Sequence, residues 1–187
     1  MNNISETITL EIATDADFKE IYGQMKKNFI PEEIRDEREA FEILNNPDYT
    51  LLHIIKNSTR VGFISLWTLK LSTFIEHLVI YEEYRNSGIG AKALAALSEV
   101  KDSLVLEAEH PISDIQKRRI GFYTRCGFSV IDEDYVQPPY REGDDGVPLL
   151  LLRKGGDADK REIRDEIYER IYGFVFTDDV IKRKGDI

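Results

Sequence analysis

The residues best placed to do chemistry lie in the stretch Leu78-Val79-Ile80-Tyr81-Glu82-Glu83-Tyr84-Arg85-Asn86-Ser87-Gly88-Ile89-Gly90-Ala91. An apolar run there enters a glycine-containing turn that opens a helix. The first four N–H groups of a helix have no partner within it, and the helix dipole adds partial positive charge at that end. Gly88 and Gly90 keep Cβ atoms out of the way of an approaching diphosphate, and Arg85 can add a guanidinium at the rim. Other phosphate-binding turns fit less well. A Walker A loop ends in Gly-Lys-Ser/Thr, whereas Lys92 stands here between Ala91 and Ala93; a dinucleotide fingerprint would need Ala93 to replace its third glycine. On these residues alone the turn reads either as an anion cradle or as plain strand-to-helix punctuation.

Metal and thiol chemistry have less support. His53, His77 and His110 are scattered without ligand spacing and read as structural or surface residues, so no metal is expected. Cys126 is the single cysteine, which rules out an intramolecular disulfide and suits a reducing compartment. With no histidine near it in sequence, it reads as an inert thiol rather than a nucleophile.

The elements that must position the turn follow from periodicity. Thr7 to Ile12 alternates like a half-wet strand, and Asp15 can cap a helix with the stripe Phe18, Ile21, Tyr22 and Met25. Pro31 starts a second helical stretch through Ile34, Phe41 and Leu44, ended by Asn45-Asn46-Pro47. Strands are predicted over 49–55, 61–67 and 74–80, the first two joined by a turn at Asn57-Ser58-Thr59-Arg60. A helix over 88–100, a buried strand over 103–108 and a helix over 115–125 follow. Gly127 stops that helix, and strands over 128–131 and 147–152 complete the core. This order, β-α-α-β-β-β-α-β-α-β-β, predicts a mixed α+β domain over 1–154. Gly155-Gly156 then reads as a linker to a C-terminal helical extension over 155–187, with Ile163, Ile167, Tyr168 and Ile171 at helical spacing and an apolar Phe174-Val175-Phe176 that must pack somewhere. The extension can dock on the domain or on a second subunit, so a homodimer is one expected arrangement.

Bulk properties narrow the function. The 187 residues suit one main core, and the charge of −10, from 35 acidic against 25 basic side chains, argues against a nucleic-acid groove. It fits a cationic small substrate, or solubility alone. The N-terminal Met1-Asn2-Asn3-Ile4-Ser5-Glu6 lacks signal-peptide features and no apolar run is long enough to span a bilayer, so a soluble cytoplasmic protein without membrane contact is expected.

The turn residues Arg85-Asn86-Ser87-Gly88-Ile89-Gly90 resemble the Arg/Gln-x-x-Gly-x-Gly/Ala motif of the GNAT acetyltransferase superfamily. Ile120-Gly121-Phe122-Tyr123-Thr124-Arg125-Cys126-Gly127-Phe128 resembles the family's Phe-Tyr-x-x-x-Gly-Phe signature. The similarity runs from Thr7 to Leu152. It implies the GNAT fold: a mixed, mostly antiparallel twisted sheet, splayed around acetyl-CoA where strand 74–80 meets strand 103–108, and flanked by helices. It further implies an N-acetyltransferase that moves acetyl from acetyl-CoA to a primary amine, on a small molecule or a peptide, by direct attack in a ternary complex. The alternative is a non-catalytic acyl-CoA-binding module with this fold. The resemblance assigns pantetheine contacts to the backbone of Leu78, Val79 and Ile80, and the diphosphate to Arg85 and the amides of Asn86, Ser87, Gly88, Ile89, Gly90 and Ala91.

The resemblance also places Tyr123 near the thioester sulfur as general acid, and Glu76 as general base, with Glu107 and Glu109 as rivals. A main-chain N–H around Val79 is the expected oxyanion donor. Gln116 stands where many relatives carry a pantetheine-touching asparagine. Lys117, Arg118 and Arg119 either meet the coenzyme's 3′-phosphate or form a solvated face. Between the last two strands, residues 132–146 hold six acids, Arg141, Tyr135, Tyr140 and a Pro-Pro pair. There the acids can attract an ammonium and a tyrosine can stack on it, or the loop is simply solvated.

Overall fold

β-Branched and aromatic runs in the first half of the chain pair in chain order to build most of one sheet. A computed structural model describes residues 7–141, 143–177 and 180–183. Strands β1 (Ile8–Ile12), β2 (Tyr49–Lys56), β3 (Thr59–Thr68) and β4 (Thr73–Ile80) form an antiparallel meander. The tight β2–β3 turn places Asn57 and Ser58 at φ 48° and 64°, the left-handed geometry a two-residue hairpin needs. β5 (Leu104–Ala108) lies parallel to β4, reached through the crossover helix α3 (Ile89–Ser98). β9 (Leu150–Lys154) and β6 (Ser129–Asp132) complete the seven-stranded order β1-β2-β3-β4-β5-β9-β6. A single parallel pair in an otherwise antiparallel sheet is the mixed arrangement predicted.

Two apolar cores cover the sheet. α3 buries Ile89, Ala93, Leu94 and Leu97 against one of them, with Ile120, Phe122 and Tyr123 of α4 (Asp114–Arg125) packed on it. The other holds Phe18, Ile21, Tyr22 and Met25 of α1 (Phe18–Asn28), the stripe expected from the sequence. Into that same core go Ile163 and Ile167 of α5 (Lys160–Ile167), and Tyr168 and Ile171 of the π-helical turn Tyr168–Tyr172 that follows it. The extension is therefore docked. Glu166 accepts hydrogen bonds from the amides of Lys70 (2.6 Å) and Leu71 (3.0 Å), and Tyr168 Oη donates to Val136 O at 2.6 Å. Gly155 is no loose tether: a Cβ there would lie 2.1 Å from Asp102 O, so the chain turns tightly against the foot of β5.

Several elements are shorter than periodicity suggests. The second helical stretch breaks into a 3₁₀ turn Pro31–Glu33, α2 (Glu37–Glu42) and a 3₁₀ turn Ile43–Asn45. The break arises because Ile34 and Asp36 are extended, with Asp36 capping α2 through Glu39 N at 2.9 Å. α5 starts at Lys160, because Asp159 caps it. The last predicted strand divides into β8 (Val147–Pro148), which pairs with β7 (Val136–Gln137), and β9. β10 (Phe174–Thr177) and β11 (Val180–Arg183) form a small hairpin. The expected packing of Phe174-Val175-Phe176 concerns side chains outside the described residues, as do Met1 to Glu6 and Glu142. Among the described residues no helix is long and apolar enough to cross a membrane.

Candidate active site

The site begins where the sheet comes apart. β4 and β5 pair only over Thr73–Ile75 and Leu104–Leu106. At the end of that ladder β4 carries a bulge: Ser65 faces His77 and Leu66 faces Ile75, which leaves Glu76 as the extra residue. Beyond it the strands diverge around a cleft of about 1010 Å³, lined on one side by residues 75–80 and on the other by 106–109. Tyr81 N donates to Val61 O at 2.9 Å, directly across the ladder. Alternation in an antiparallel pair then turns the amides of Val79 and His77 toward β3, and those of Leu78 and Ile80 toward the open side. The main-chain donors facing the cleft are thus the neighbours of Val79 rather than Val79 itself.

One end of the cleft is built to receive an anion. Gly88, at φ 77°, caps α3 without any side-chain hydrogen bond, and the first amide to find a helical partner is that of Lys92, which donates to Gly88 O at 3.2 Å. The preceding amides, those of Ile89, Gly90 and Ala91, have no partner within the helix, and all three residues line the cleft. A Cβ on Gly90 would meet the Phe122 ring at 3.2 Å, while the space around Gly88 is clear to 4 Å. Arg85 is held at the rim by Ile80 O (3.1 Å) and by Asn28 Oδ1 (2.5 Å), with Lys27, Arg118, Arg119 and Arg125 also on the lining. The cradle therefore suits a diphosphate in shape and charge. Asn86 lines it too, at φ 60°. Ser87 is turned away, its hydroxyl donating to Tyr84 O at 2.5 Å, and it is not on the lining. Gln116 has a different task from the pantetheine contact expected of it. Its amide oxygen accepts from Ser113 N at 2.8 Å in a capping box at the start of α4, and it lies off the cleft lining.

The deep end of the cleft is acidic. Glu33, Glu76, Glu107 and Glu109 all line it. Glu76 has a side chain only 2% exposed and pairs with the guanidinium of Arg35, while Tyr140 Oη donates to its Oε1 at 2.9 Å. Burial alone would raise its pKa, but Arg35, His77 and the hydrogen bonds outweigh burial and hold it below the usual carboxylate range. Its other oxygen, Oε2, has no hydrogen-bond partner, and His77 Nδ1 lies 3.8 Å from it. Glu107 is the opposite case. Burial pushes its pKa up to about 8, although Tyr135 Oη donates to Oε1 and Tyr172 Oη donates to both carboxyl oxygens at 3.2 and 3.1 Å. Glu109 pairs with Arg119 instead, and burial also raises the Glu33 pKa.

Arg35 escaped the sequence reading. It is buried, with its guanidinium 4.4 Å from the Tyr140 ring centre and 5.6 Å from that of Trp67, and it donates to Ile171 O at 3.0 Å. Tyr135 and Tyr140 belong to no solvated loop: both hydroxyls reach down to the carboxylates. Tyr172 comes from the extension. The rings of Tyr140 and Tyr172 also wall a second cavity of about 500 Å³, on the side of Glu39, Glu42, Asn45 and Asn46.

Tyr123 lines the cleft from α4, in edge contact with Phe128. Burial pushes its pKa up to about 12, so the phenol keeps its proton. Cys126 is half-buried, has its pKa raised by burial and lies off the lining, as befits an inert thiol. His77 is buried and held by Ser65 Oγ (2.9 Å) and Glu33 O (3.3 Å), which gives it a structural role at the cleft wall.

Comparison with known proteins agrees with this geometry. The family model described as the acetyltransferase (GNAT) family matches residues 16–128. A protein assigned to the GNAT family of acetyltransferases from Bacteroides thetaiotaomicron superposes with a TM-score of 0.82 at 33% identity, covering 88% of this chain and 98% of its own. An acetyltransferase from Thermus thermophilus gives 0.58 at 14% identity, covering 79% and 96%. PaiA N-acetyltransferase from Thermoplasma acidophilum, solved in complex with coenzyme A, gives 0.53 at 17%, covering 80% and 99%. The last two show likeness of fold alone. No curated protein matches the chain in sequence.

Proposed function

This chain belongs to the GNAT acetyltransferase family, and from that premise we propose that it transfers acetyl from acetyl-CoA to a primary amine in a ternary complex. The observation that carries the reading is the polarity of the cleft. Free helix amides and arginines stand at one end and buried carboxylates at the other, with the splayed edge of β4 between them. Such a cleft suits a donor with an anionic tail and an acceptor that arrives as a cation.

The donor lies along β4, its diphosphate on the amides of Asn86 to Ala91 beside Arg85 and its amide-bearing arm against Leu78, Val79 and Ile80. An N–H on the open side of β4 stabilises the oxyanion as the C–N bond forms and the C–S bond breaks. Tyr123 donates its hydroxyl hydrogen toward the departing sulfur, a role favoured by a phenol that stays protonated.

The acceptor must lose a proton before it attacks. Of the two carboxyls at the splay, Glu107 is the better base, because its pKa near 8 is matched to taking a proton near neutrality. Glu76, held ionised by Arg35 and Tyr140, instead keeps a second, charged carboxyl beside Glu107, its Oε2 buried and without a hydrogen-bond partner of its own. The step balances simply: an ammonium N–H bond breaks, a Glu107 O–H bond forms, and the electron pair stays on nitrogen.

The same charges favour a cationic small molecule or peptide amine, and no feature of the cleft favours nucleic acid. The test is mass spectrometry of products from acetyl-CoA and a mixed amine library, with coenzyme A release followed in parallel. Acetylated amines are expected. Tight binding of acetyl-CoA by calorimetry with no product from any amine would overturn the enzymatic reading in favour of an acyl-CoA-binding module.

A further inference from the structure

The two carboxyls at the splay are not independent. From Glu107 on β5, hydrogen bonds run to Tyr172 Oη (3.1 Å to Oε2), from Tyr172 Oη to Tyr140 Oη (3.4 Å), and from Tyr140 Oη to Glu76 Oε1 (2.9 Å) on β4. The chain spans the gap where the β4–β5 ladder has ended. Its middle members come from the far side of the sequence, Tyr140 from the loop after β7 and Tyr172 from the turn after α5. The two rings pack against each other with centres 4.9 Å apart and planes tilted by 46°, which brings both hydroxyls between the carboxyls.

We propose that Tyr172 is a positioning residue that joins Glu107 to Glu76 through Tyr140, so that the two carboxyls are set to take up a single proton, on Glu107. The proposal rests on the acetyltransferase reading only for its purpose, not for its chemistry. Each tyrosine has one hydroxyl hydrogen. Tyr140 can give its hydrogen to Glu76 or to Tyr172, but not to both. If Tyr140 donates to Glu76, Tyr172 can donate to Tyr140, and Tyr172 then accepts from Glu107. Every link is then satisfied provided that Glu107 carries a proton and Glu76 does not. Tyr135, which donates to Glu107 Oε1, fits this state unchanged. If Glu107 is ionised, Tyr172 turns its hydrogen to Glu107 and the link to Tyr140 loses its donor, unless Tyr140 abandons Glu76.

The groups around the chain push the same way. Glu107 faces Tyr135 and Tyr172, with Glu76 and Glu33 adding negative charge nearby, and all but the two tyrosines favour its neutral form. Glu76 faces Arg35, His77 and Tyr140, which favour its charge. A proton taken from the acceptor by Glu107 thus completes the chain rather than leaving a lone buried acid. The extension is then part of the acid–base apparatus, which accounts for its docking into the core.

The test reads Glu107 directly, without turnover. Protein labelled with ¹³C at glutamate Cδ is titrated by NMR, the Glu107 signal being assigned by its loss in Glu107→Gln. In Tyr140→Phe, Tyr172 is freed to donate to Glu107, so the Glu107 titration moves down by about half a unit or more. In Tyr172→Phe the link is cut, and adding Tyr140→Phe to that background leaves the titration where Tyr172→Phe put it. An unchanged or upward titration in Tyr140→Phe overturns the proposal, as does an equal shift from Tyr140→Phe in both backgrounds. Circular dichroism checks that each variant is folded; if Tyr172→Phe does not fold, Tyr140→Phe alone decides. Absence of acetyl transfer in the wild type would remove the acetyltransferase reading and leave this titration readable.

Discussion

Replacing Glu107 by glutamine isolates the most unusual group in the protein. Its pKa rises from an ordinary 4.5 to about 8 on folding, chiefly through burial. A group whose folded pKa lies above its unfolded value contributes stability that is fully present below the unfolded pKa. That contribution is lost as pH rises through the folded one. Here the window runs from 4.5 to about 8. Each unit is worth about 1.4 kcal/mol, so the loss between pH 6 and 8 is roughly 2 to 3 kcal/mol. Against a total of about 5–15 kcal/mol for a domain, that is readily measured. Glutamine resembles the protonated acid: its NH₂ can donate to Tyr172 and its oxygen can accept from Tyr135. Urea unfolding at pH 6 and pH 8 should show wild type losing stability while Glu107→Gln stays flatter by about that amount, and the variant should be the more stable at pH 8. Its acetylation rate should fall by about 10²-fold or more, with the acidic limb of the wild-type pH–rate profile, near 8, removed. Parallel pH dependences of stability in the two proteins would refute the reasoning, because burial would then not be holding a proton on Glu107.

Gly88→Glu should abolish coenzyme binding measured by calorimetry, since it sets a charged side chain at φ 77° in the mouth of the cradle. Tyr123→Phe should lower turnover by about 10²-fold with donor affinity unchanged; an unaltered rate would remove its acid role. Arg35→Met leaves the buried Glu76 carboxylate without its counter-charge, and should cost about 3–5 kcal/mol at pH 8 by urea unfolding. Acidification should relieve part of this loss as Glu76 takes up a proton, the reverse of wild type, in which the depressed Glu76 pKa costs stability as pH falls. Ile167→Ala, deep in the core under α5, should cost about 2–5 kcal/mol; a loss near zero would mean that the extension docks only loosely.

What the sequence disclosed and what it hid divide by distance along the chain. The cradle was legible because all its parts, from Arg85 to Ala91, lie within one turn, and local rules for strands, glycines and helix starts act over that range. Tyr123 was legible for the same reason, as part of a short signature. The end of β4–β5 pairing was implied by resemblance, but the bulge that sets Glu76 apart was not, because it depends on register against β3. Arg35 and Tyr172 gave no signal at all: one sits in a broken helical stretch and the other in a charged appendage, and their partners are 41 and 65 residues away. Gln116 shows the opposite pull. It stands where relatives carry an asparagine, while Ser113 three residues earlier offers its amide a local use.

The acidic end of the cleft explains why the C-terminal extension belongs to the domain rather than beside it. Four of the five glutamates on the cleft lining, Glu33, Glu76, Glu107 and Glu109, crowd its acidic end, and a buried pair of them is tolerated only if charge or protons are supplied. Arg35 supplies charge to Glu76, yet Arg35 itself needs a carbonyl, which Ile171 provides. The buried Glu107 carboxyl needs hydrogen-bond partners, and Tyr172 joins Tyr135 in supplying them. Ile171 and Tyr172 both come from the turn after α5, held in place by Ile163 and Ile167 beneath it. Without Ile171 and Tyr172 in place, Arg35 would be short of an acceptor and Glu107 short of a partner. On the proposed reading donor binding and amine deprotonation rest on different parts of the chain, and Tyr172→Phe should spare coenzyme binding by calorimetry while lowering the acetylation rate.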